Sequence, residues 1–494
     1  MPPRASLKTF LATARAALTA PPSKRPTPLT LVVGNEAADL DSLCSALLLA
    51  YFRTYAPPAG RVATGAGSSE ISSGTGSRNA SAGTLHIPVC HLYRADLALR
   101  PEFAAVLRDA DVKGEDVFTL EDVLPPPPPP PHDTDNSVAG GRESTDRVEE
   151  EGVKKGEILH PEDTRWLLVD HNAMTGQLGK IFGSHVAGCV DHHADEDAVP
   201  RDAEIRVIEK SGSCASLVVE QCAEIWDALS TVDDTPPPQG ESRSESKSET
   251  AKIDAQLARL ALGPVLIDTS NLGDRNKTTA HDERAVAVAE SRIARYAEGS
   301  GGGAGSEEKY DRDAFFARLA ALKEDLSDMT FRDVFRKDYK EWSVDGLHLG
   351  TSSVPQGFGY LVDQKAGGDS DAFVEELGKW GSEKDSFGKE GEKIDLVVVL
   401  TGFKDKDGQF RRELLVWART EIGVKAARAF ESAHKENLKL GTWGDGKLDL
   451  DGKRDGKGKG ESEWRRCWTQ RAVEHSRKQI APMLRDALEG VAGG

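Results

Sequence analysis

The stretch from Leu29 to Ser42 constrains this chain most. The apolar run Leu29-Thr30-Leu31-Val32-Val33 is broken by Gly34, then come Asp39 and Asp41, and a helical pattern runs from Ser42 to Tyr51. A short, continuous, β-branched run of this kind reads as a strand buried on both faces, the mark of a parallel sheet. Parallel strands need crossover connections, so their carboxyl ends gather at one edge, where open α/β sheets place their ligands. Asp39 and Asp41 fall in that first turn. Two carboxylates one residue apart can converge on a hard cation, although an Asp opening a helix is also an ordinary cap.

The pattern recurs downstream. Trp166 to Val169 runs into Asp170-His171-Asn172, and Val186 to Val190 runs into Asp191-His192-His193. A helical segment, Ile253 to Leu262, leads to the apolar run Pro264 to Ile267, which reads as a strand ending in Asp268-Thr269. Four strand ends thus carry Asp39/Asp41, Asp170, His192/His193 and Asp268. A further strand is expected over Leu85 to Leu92. Helices are expected with Ser6 as cap and Leu7, Phe10, Leu11, Ala14 and Leu18 as face, from Pro101, from Ser213 to about Leu229, and over His281 to Tyr296.

A carboxylate-rich set with one or two imidazoles favours Mg²⁺, Mn²⁺ or Co²⁺ over a structural zinc, which would want thiolates. Five such groups exceed what one octahedral ion needs when waters remain. Two cations sharing a carboxylate account for them better. Such a pair, about 3.5–4 Å apart, activates a bridging water and neutralises a phosphoryl group under attack.

The 494 residues suffice for two or three domains. A catalytic domain is expected over 1–298, with insertions near 57–83, 125–157 (opened by the proline run Pro125 to Pro131) and 233–250. A glycine-rich linker spans 299–310. A second, smaller α/β domain over 311–494 would carry strands Leu347–Val354, Ile394–Leu400 and Glu413–Trp417. Its helices would be Arg312–Asp325, Ala372–Trp380, Glu421–His434 and a last one near Cys467–Leu488, with insertions near 364–392 and 441–461.

With 63 basic against 81 acidic residues the net charge is −18, which excludes a general nucleic-acid binder. No apolar run approaches 18 residues, so no membrane span is expected. The six cysteines form no Cys-x-x-Cys pair and read as reduced core thiols of an intracellular protein. Met1 to Pro21 holds basic residues and no acid, as a mitochondrial presequence does. The amphipathic helix in the same stretch favours a structural role and a cytoplasmic location. No obligate protein partner is evident.

The ordered motifs Asn35-x-x-x-Asp39-x-Asp41, Asp170-His171-Asn172, Asp191-His192-His193, Gly212-Ser213-Cys214 and Asp268-Thr269 resemble the DHH phosphoesterase superfamily over about residues 28 to 297. Lys337-Asp338-Tyr339-Lys340 and Ser476-Arg477-Lys478-Gln479-Ile480-Ala481-Pro482 resemble the second domain of the branch that holds manganese pyrophosphatases and fungal exopolyphosphatases. The resemblance implies that the second domain closes over an interdomain site. Asp39 and Asp41 would each ligate a different metal, and Asp170 would bridge both. His192 and Asp268 would complete the second metal's sphere, and Asp191 would orient an imidazole. His193 would face the substrate, and Lys340, Arg477 and Lys478 would clamp phosphate oxygens.

Asn35 stands where the pyrophosphatases carry His, either as an amide-oxygen ligand or as a hydrogen-bonding group. That departure resembles the exopolyphosphatases and the prune-type proteins, whereas the retained His193 departs from the prune type. The implied activity is exopolyphosphatase, releasing orthophosphate from linear polyphosphate with two divalent cations. Hydrolysis of pyrophosphate, short oligophosphates or nucleotides is the alternative within the class. Outside it stands a polyphosphate-binding regulator with little turnover.

Overall fold

Residues 4–56, 84–124, 159–231, 243–299, 310–385, 393–454 and 461–492 are described by a computed structural model. The expected insertions 57–83 and 125–157, residues 233–242 of the third, and all but the ends of the linker 299–310 lie outside them. The chain divides into two compact units, Met1–Ala320 and Ala321–Gly494. The division falls within helix Arg312–Glu324.

In the first unit the strands are β1 (Leu29–Val33), β2 (His86–Val89), β3 (Thr164–Val169), β4 (Val186–Asp191) and β5 (Ile205–Ile208). They form one parallel sheet in the order β2-β1-β3-β4-β5. Every residue of β1 is buried, as a central strand covered on both faces requires. The ends of neighbours are in step: Val33 is level with Val89 and Leu168, and Val169 with Val190. The segments that leave β1, β3 and β4 therefore emerge side by side.

Helix Leu40–Tyr55 is buried almost throughout. Helix Leu7–Leu18 is capped by Ser6, whose Oγ accepts from Thr9 N at 3.2 Å, and it buries Leu7, Phe10, Leu11, Ala14 and Leu18. All six cysteines are buried and free. No described helix is long and apolar enough to cross a membrane.

The expected strand Pro264 to Ile267 is absent: one helix, Arg243–Asp268, runs through it with Pro264 inside. It also takes in residues 243–250, assigned from the sequence to an insertion. A helix buried on every side shows no 3.6-residue period, so its last apolar turn is indistinguishable from a short strand. Gly263 brings this helix against its neighbours; a Cβ there would lie 3.1 Å from Val106 Cγ2. Asp268 therefore stands at a helix end, not a strand end. The helix expected from Ser213 to Leu229 is two, Cys214–Gln221 and Ala223–Ser230, broken at Cys222 (φ −103°, ψ 4°).

The second unit holds a mixed sheet of eight strands. These are β6 (Tyr339–Val344), β7 (Leu347–Val354), β8 (Leu396–Thr401), β9 (Phe403–Lys404), β10 (Phe410–Ala418), β11 (Leu440–Thr442), β12 (Leu450–Arg454) and β13 (Glu461–Gln470). Alternation along the central strands sorts two cores. Val397, Val399, Leu415, Trp417 and Cys467 pack with Phe373, Leu377 and Trp380 of helix Ser370–Lys384. Leu396, Val398, Leu414, Val416 and Trp464 pack with Val424 and Phe430 of helix Glu421–His434 and with Ile480 and Leu484 of helix Arg477–Ala492.

Both units are thus α/β. Helix Ser370–Lys384 contains the expected helix Ala372–Trp380, within the stretch 364–392 that the sequence also assigned to an insertion. Two expectations fail here. Strand β12 occupies part of 441–461. Residues 467–470 belong to β13, and the last helix begins only at Arg477.

Candidate metal centre

Asp170 ends β3 in a left-handed conformation (φ 61°), which Asp tolerates better than most residues. Its carboxylate is buried and already crowded with donors. Oδ2 accepts from Ser42 Oγ at 2.6 Å and from Asn35 Nδ2 at 2.8 Å. Oδ1 faces His192 Nε2 at 3.1 Å, and His193 Nδ1 lies 3.8 Å from the same oxygen. Candidate ligand atoms of Asp170, His192 and His193 all lie within 4.8 Å of one another.

His192 leaves the end of β4, and Ser211 O lies 3.0 Å from its Nδ1. With Nδ1–H donated to that carbonyl, Nε2 is the nitrogen left to meet Asp170, and once it gives up the proton shared with that carboxylate it is free to hold a metal, the arrangement that metal-ligating histidines use. Asp191 is fully buried and accepts from Asn172 Nδ2 at 2.6 Å and from His192 N at 2.8 Å. Its Oδ1 is also 2.8 Å from His193 Nδ1, which fixes that ring.

Asp39 and Asp41 sit on opposite sides of the start of helix Leu40–Tyr55. Asp39 is its cap, half-buried, and accepts from Ser42 N at 3.1 Å. Asp41 is buried in the first turn and takes donors from a different helix: Ser213 Oγ at 2.9 Å, Cys214 N at 2.6 Å and Ala215 N at 2.9 Å. Ser213 therefore gives its hydroxyl to Asp41, and the amino end of helix Cys214–Gln221 is satisfied by Asp41 instead of by its own cap. Asn35 spends both ends of its amide on hydrogen bonds, Nδ2 on Asp170 and Oδ1 on Ala37 N at 2.9 Å.

The electrostatics are those of anions packed without a counter-charge. Burial, then the charges of Asp39 and Asp41, push the Asp170 carboxyl up to about 8, with His192 opposing. Burial likewise raises Asp41, against His192. Burial opposes the charged form of His192, yet its hydrogen bond to Asp170 and the charges of Asp41, Asp170 and Asp268 raise it to about 10. Asp268 is thus within electrostatic reach of the cluster despite standing on a helix end. A donor set of carboxylates plus an Nε2 imidazole, crowded enough to hold protons above pH 7, fits divalent cations, which would neutralise it.

In the second unit Arg477, at the start of the last helix, donates Nη2 to Asp338 Oδ1 at 2.7 Å and Nη1 to Asp338 O at 2.9 Å. Lys340 is half-buried on β6 and Lys478 is exposed.

Sequence reasoning missed several residues that shape the centre. Ser42 holds Asp170. Arg100 is buried, and donates Nε to Ala38 O at 2.8 Å and Nη2 to Ala37 O at 2.7 Å, fixing the turn between Asn35 and Asp39. Asp282 carries the Ser211–Ser213 segment. Only Asp282 left a local signal, the spacing Thr279-x-x-Asp282, which reads as an ordinary capping box.

Among known proteins, the model of the DHHA2 domain matches residues 317–487. The Schizosaccharomyces pombe protein named "Putative exopolyphosphatase" is 27% identical over 463 residues, spanning 94% of this chain and 92% of that protein. The protein named exopolyphosphatase PRUNE1 in Bos taurus is 23% identical over 465 residues, 93% of this chain and 76% of that protein. A crystal structure described as a "putative family II inorganic pyrophosphatase" from Methanococcus jannaschii aligns with a TM-score of 0.46 and 16% identity, across 93% of this chain and 100% of the other.

Proposed function

We propose that this chain, a member of the DHH phosphoesterase superfamily, is a metal-dependent exopolyphosphatase that hydrolyses terminal phosphoanhydride bonds of linear polyphosphate and releases orthophosphate. One observation carries the reading: the Asp170–His192 contact at 3.1 Å, within electrostatic reach of Asp39, Asp41 and Asp268, in a chain that aligns over 94% of its length with a curated relative named for that activity.

In this reading Asp39 would hold the first cation, Asp41, His192 and Asp268 would hold the second, and Asp170 would serve both. Mg²⁺ or Mn²⁺ suits these donors, with Co²⁺ the third choice. Two such cations would supply a water of lowered pKa and neutralise charge on the phosphoryl group. Asn35 keeps the bridging carboxylate in place by hydrogen bonding. Asp191, as an anion, accepts from His193 Nδ1–H and favours the imidazolium, whose Nε2–H would donate to a phosphate oxygen and pass its proton to the leaving phosphate. On the second unit Lys340, Arg477 and Lys478 are the proposed phosphate contacts, Arg by bidentate hydrogen bonds and Lys as a point charge.

The test is phosphate release, with titration of Mg²⁺ and Mn²⁺, from pyrophosphate, tripolyphosphate, long polyphosphate and a cyclic dinucleotide. Metal-dependent release from long polyphosphate and tripolyphosphate is expected. Release from pyrophosphate alone, or tight polyphosphate binding without turnover, would overturn the reading.

A further inference from the structure

One carboxylate outside the centre holds the segment that contacts two of its residues. Asp282 lies at the start of helix Ala280–Gly299 and is completely buried. Its two oxygens collect six donors. Oδ1 accepts from Ser211 Oγ at 3.0 Å, Ser213 N at 3.2 Å and Ser216 Oγ at 2.7 Å. Oδ2 accepts from Gly212 N at 2.9 Å, Thr279 N at 2.7 Å and Thr279 Oγ1 at 2.8 Å. A capping box on its own helix would use only the two Thr279 contacts. The other four reach across to residues 211–216.

That segment faces the centre at both ends. Its first residue presents Ser211 O to His192 Nδ1 at 3.0 Å. Its last residues, Ser213 to Ala215, deliver a hydroxyl and two backbone N–H groups to Asp41. The packing leaves no slack, because a Cβ on Gly212 would lie 2.9 Å from Asp282 Oδ2 and 2.6 Å from Thr269 Cγ2. Helix Cys214–Gln221 is therefore capped by two carboxylates, Asp282 on Gly212 and Ser213 and Asp41 on Cys214 and Ala215.

We infer that Asp282 is a positioning residue for the metal centre, setting the ring orientation of His192 and the carboxylate of Asp41 through the Ser211–Ala215 segment. The inference rests on the proposed dimetal reading, in which both residues serve the second cation. Asp282 touches neither substrate nor cation. In Asp282→Asn one oxygen becomes an NH₂ that must face Gly212 N–H and Thr279 N–H, or else Ser213 N–H. Either way a backbone donor is left against a donor, and the segment shifts.

The experiment is titration of the metal-free full chain with Co²⁺, followed by calorimetry and by the visible absorption of the bound ion. Wild type should take two ions. Asp282→Asn should bind the first with unchanged affinity and the second about 10- to 100-fold more weakly, the range for removing a partner that orients a metal ligand. The Co²⁺ band should change with it. Asp254→Asn alters another buried carboxylate of this unit, which bonds Arg4 and Trp226, and should lower thermal stability while leaving both Co²⁺ affinities intact.

Loss of stability in Asp282→Asn with wild-type Co²⁺ binding would overturn the inference. Should that variant not fold, Ser211→Ala removes only one of the six donors. It should weaken the second ion by several-fold, and unchanged binding there would also overturn it. A wild-type chain that binds no Co²⁺ would instead sink the dimetal reading itself.

Discussion

Asn35 holds its amide oxygen on Ala37 N and its amide nitrogen on Asp170, so it acts on the carboxylate and not in its place. Asn35→His should exchange that clip for an imidazole beside the proposed first cation. Imidazole is a softer donor than an amide or water oxygen, so the ratio of activity with Mn²⁺ to activity with Mg²⁺ should rise. An unchanged ratio in a folded variant would mean that position 35 has no access to the ion. Arg477 needs two variants, because its guanidinium is already engaged by Asp338. Arg477→Ala should raise KM for polyphosphate with metal content intact. Asp338→Asn, which loosens the same contact but keeps the positive charge, should leave KM near wild type. Equal effects from both would assign Arg477 to structure.

At the scale of elements, the loop that precedes helix Cys214–Gln221 is a closely packed seam of the first unit. Gly212→Ala forces a methyl against Thr269 and Asp282, an overpacking that costs about 1–3 kcal/mol. Thermal unfolding should read that loss, and the same shift should carry Ser211 O away from His192 and weaken metal binding. The strands that deliver the centre were legible because β1, β3 and β4 are continuous apolar runs that stop at polar residues. Helix Arg243–Asp268 was legible over Ile253 to Leu262 but not at its end, because residues 260–266 are all buried and their unbroken apolar run reads equally well as a strand, so Asp268 was placed on a wrongly assigned element. Strand β13 hid for the opposite reason. Its arginines break the apolar pattern, yet Arg465 lies over the Trp417 ring at 4.8 Å and Arg466 over Trp464 at 5.3 Å. An arginine stacked on an indole buries its stem like an apolar side chain. The reach of Asp282 across to residues 211–216 is a tertiary fact, and no spacing in the sequence announces it.

For the whole molecule, the crowded carboxylates set how stability follows pH. Asp170 titrates at about 8 in the folded chain against an ordinary value of 3.8, and His192 at about 10 against 6.5. Both are raised, so both contribute stability that is fully present below their unfolded values. In the metal-free chain that contribution is lost as pH climbs through the folded ones. Cation binding needs the deprotonated groups, so it strengthens over the same range. The metal-free chain should therefore melt progressively lower between pH 5.5 and 8.5, and the rise in Tm on adding Mn²⁺ should widen. Parallel melting curves with and without Mn²⁺ across that range would show that these groups do not bind the ion.

The parallel sheet also decides how this chain reaches its native state. Leu29 pairs with Thr164, so β1 cannot find β3 until all the chain between them, including 57–83 and 125–158, has been gathered. Closing a longer connection adds only about 0.6 kcal/mol per doubling of its length, so such stretches weigh little on equilibrium stability. They weigh on the clock, because pairings distant in sequence are slow to form. Deleting residues 57–83 should leave the denaturant midpoint almost where it was and shorten the refolding time. The length of these connections is then a setting on how long the half-formed sheet stays open during synthesis, separate from anything the finished enzyme does.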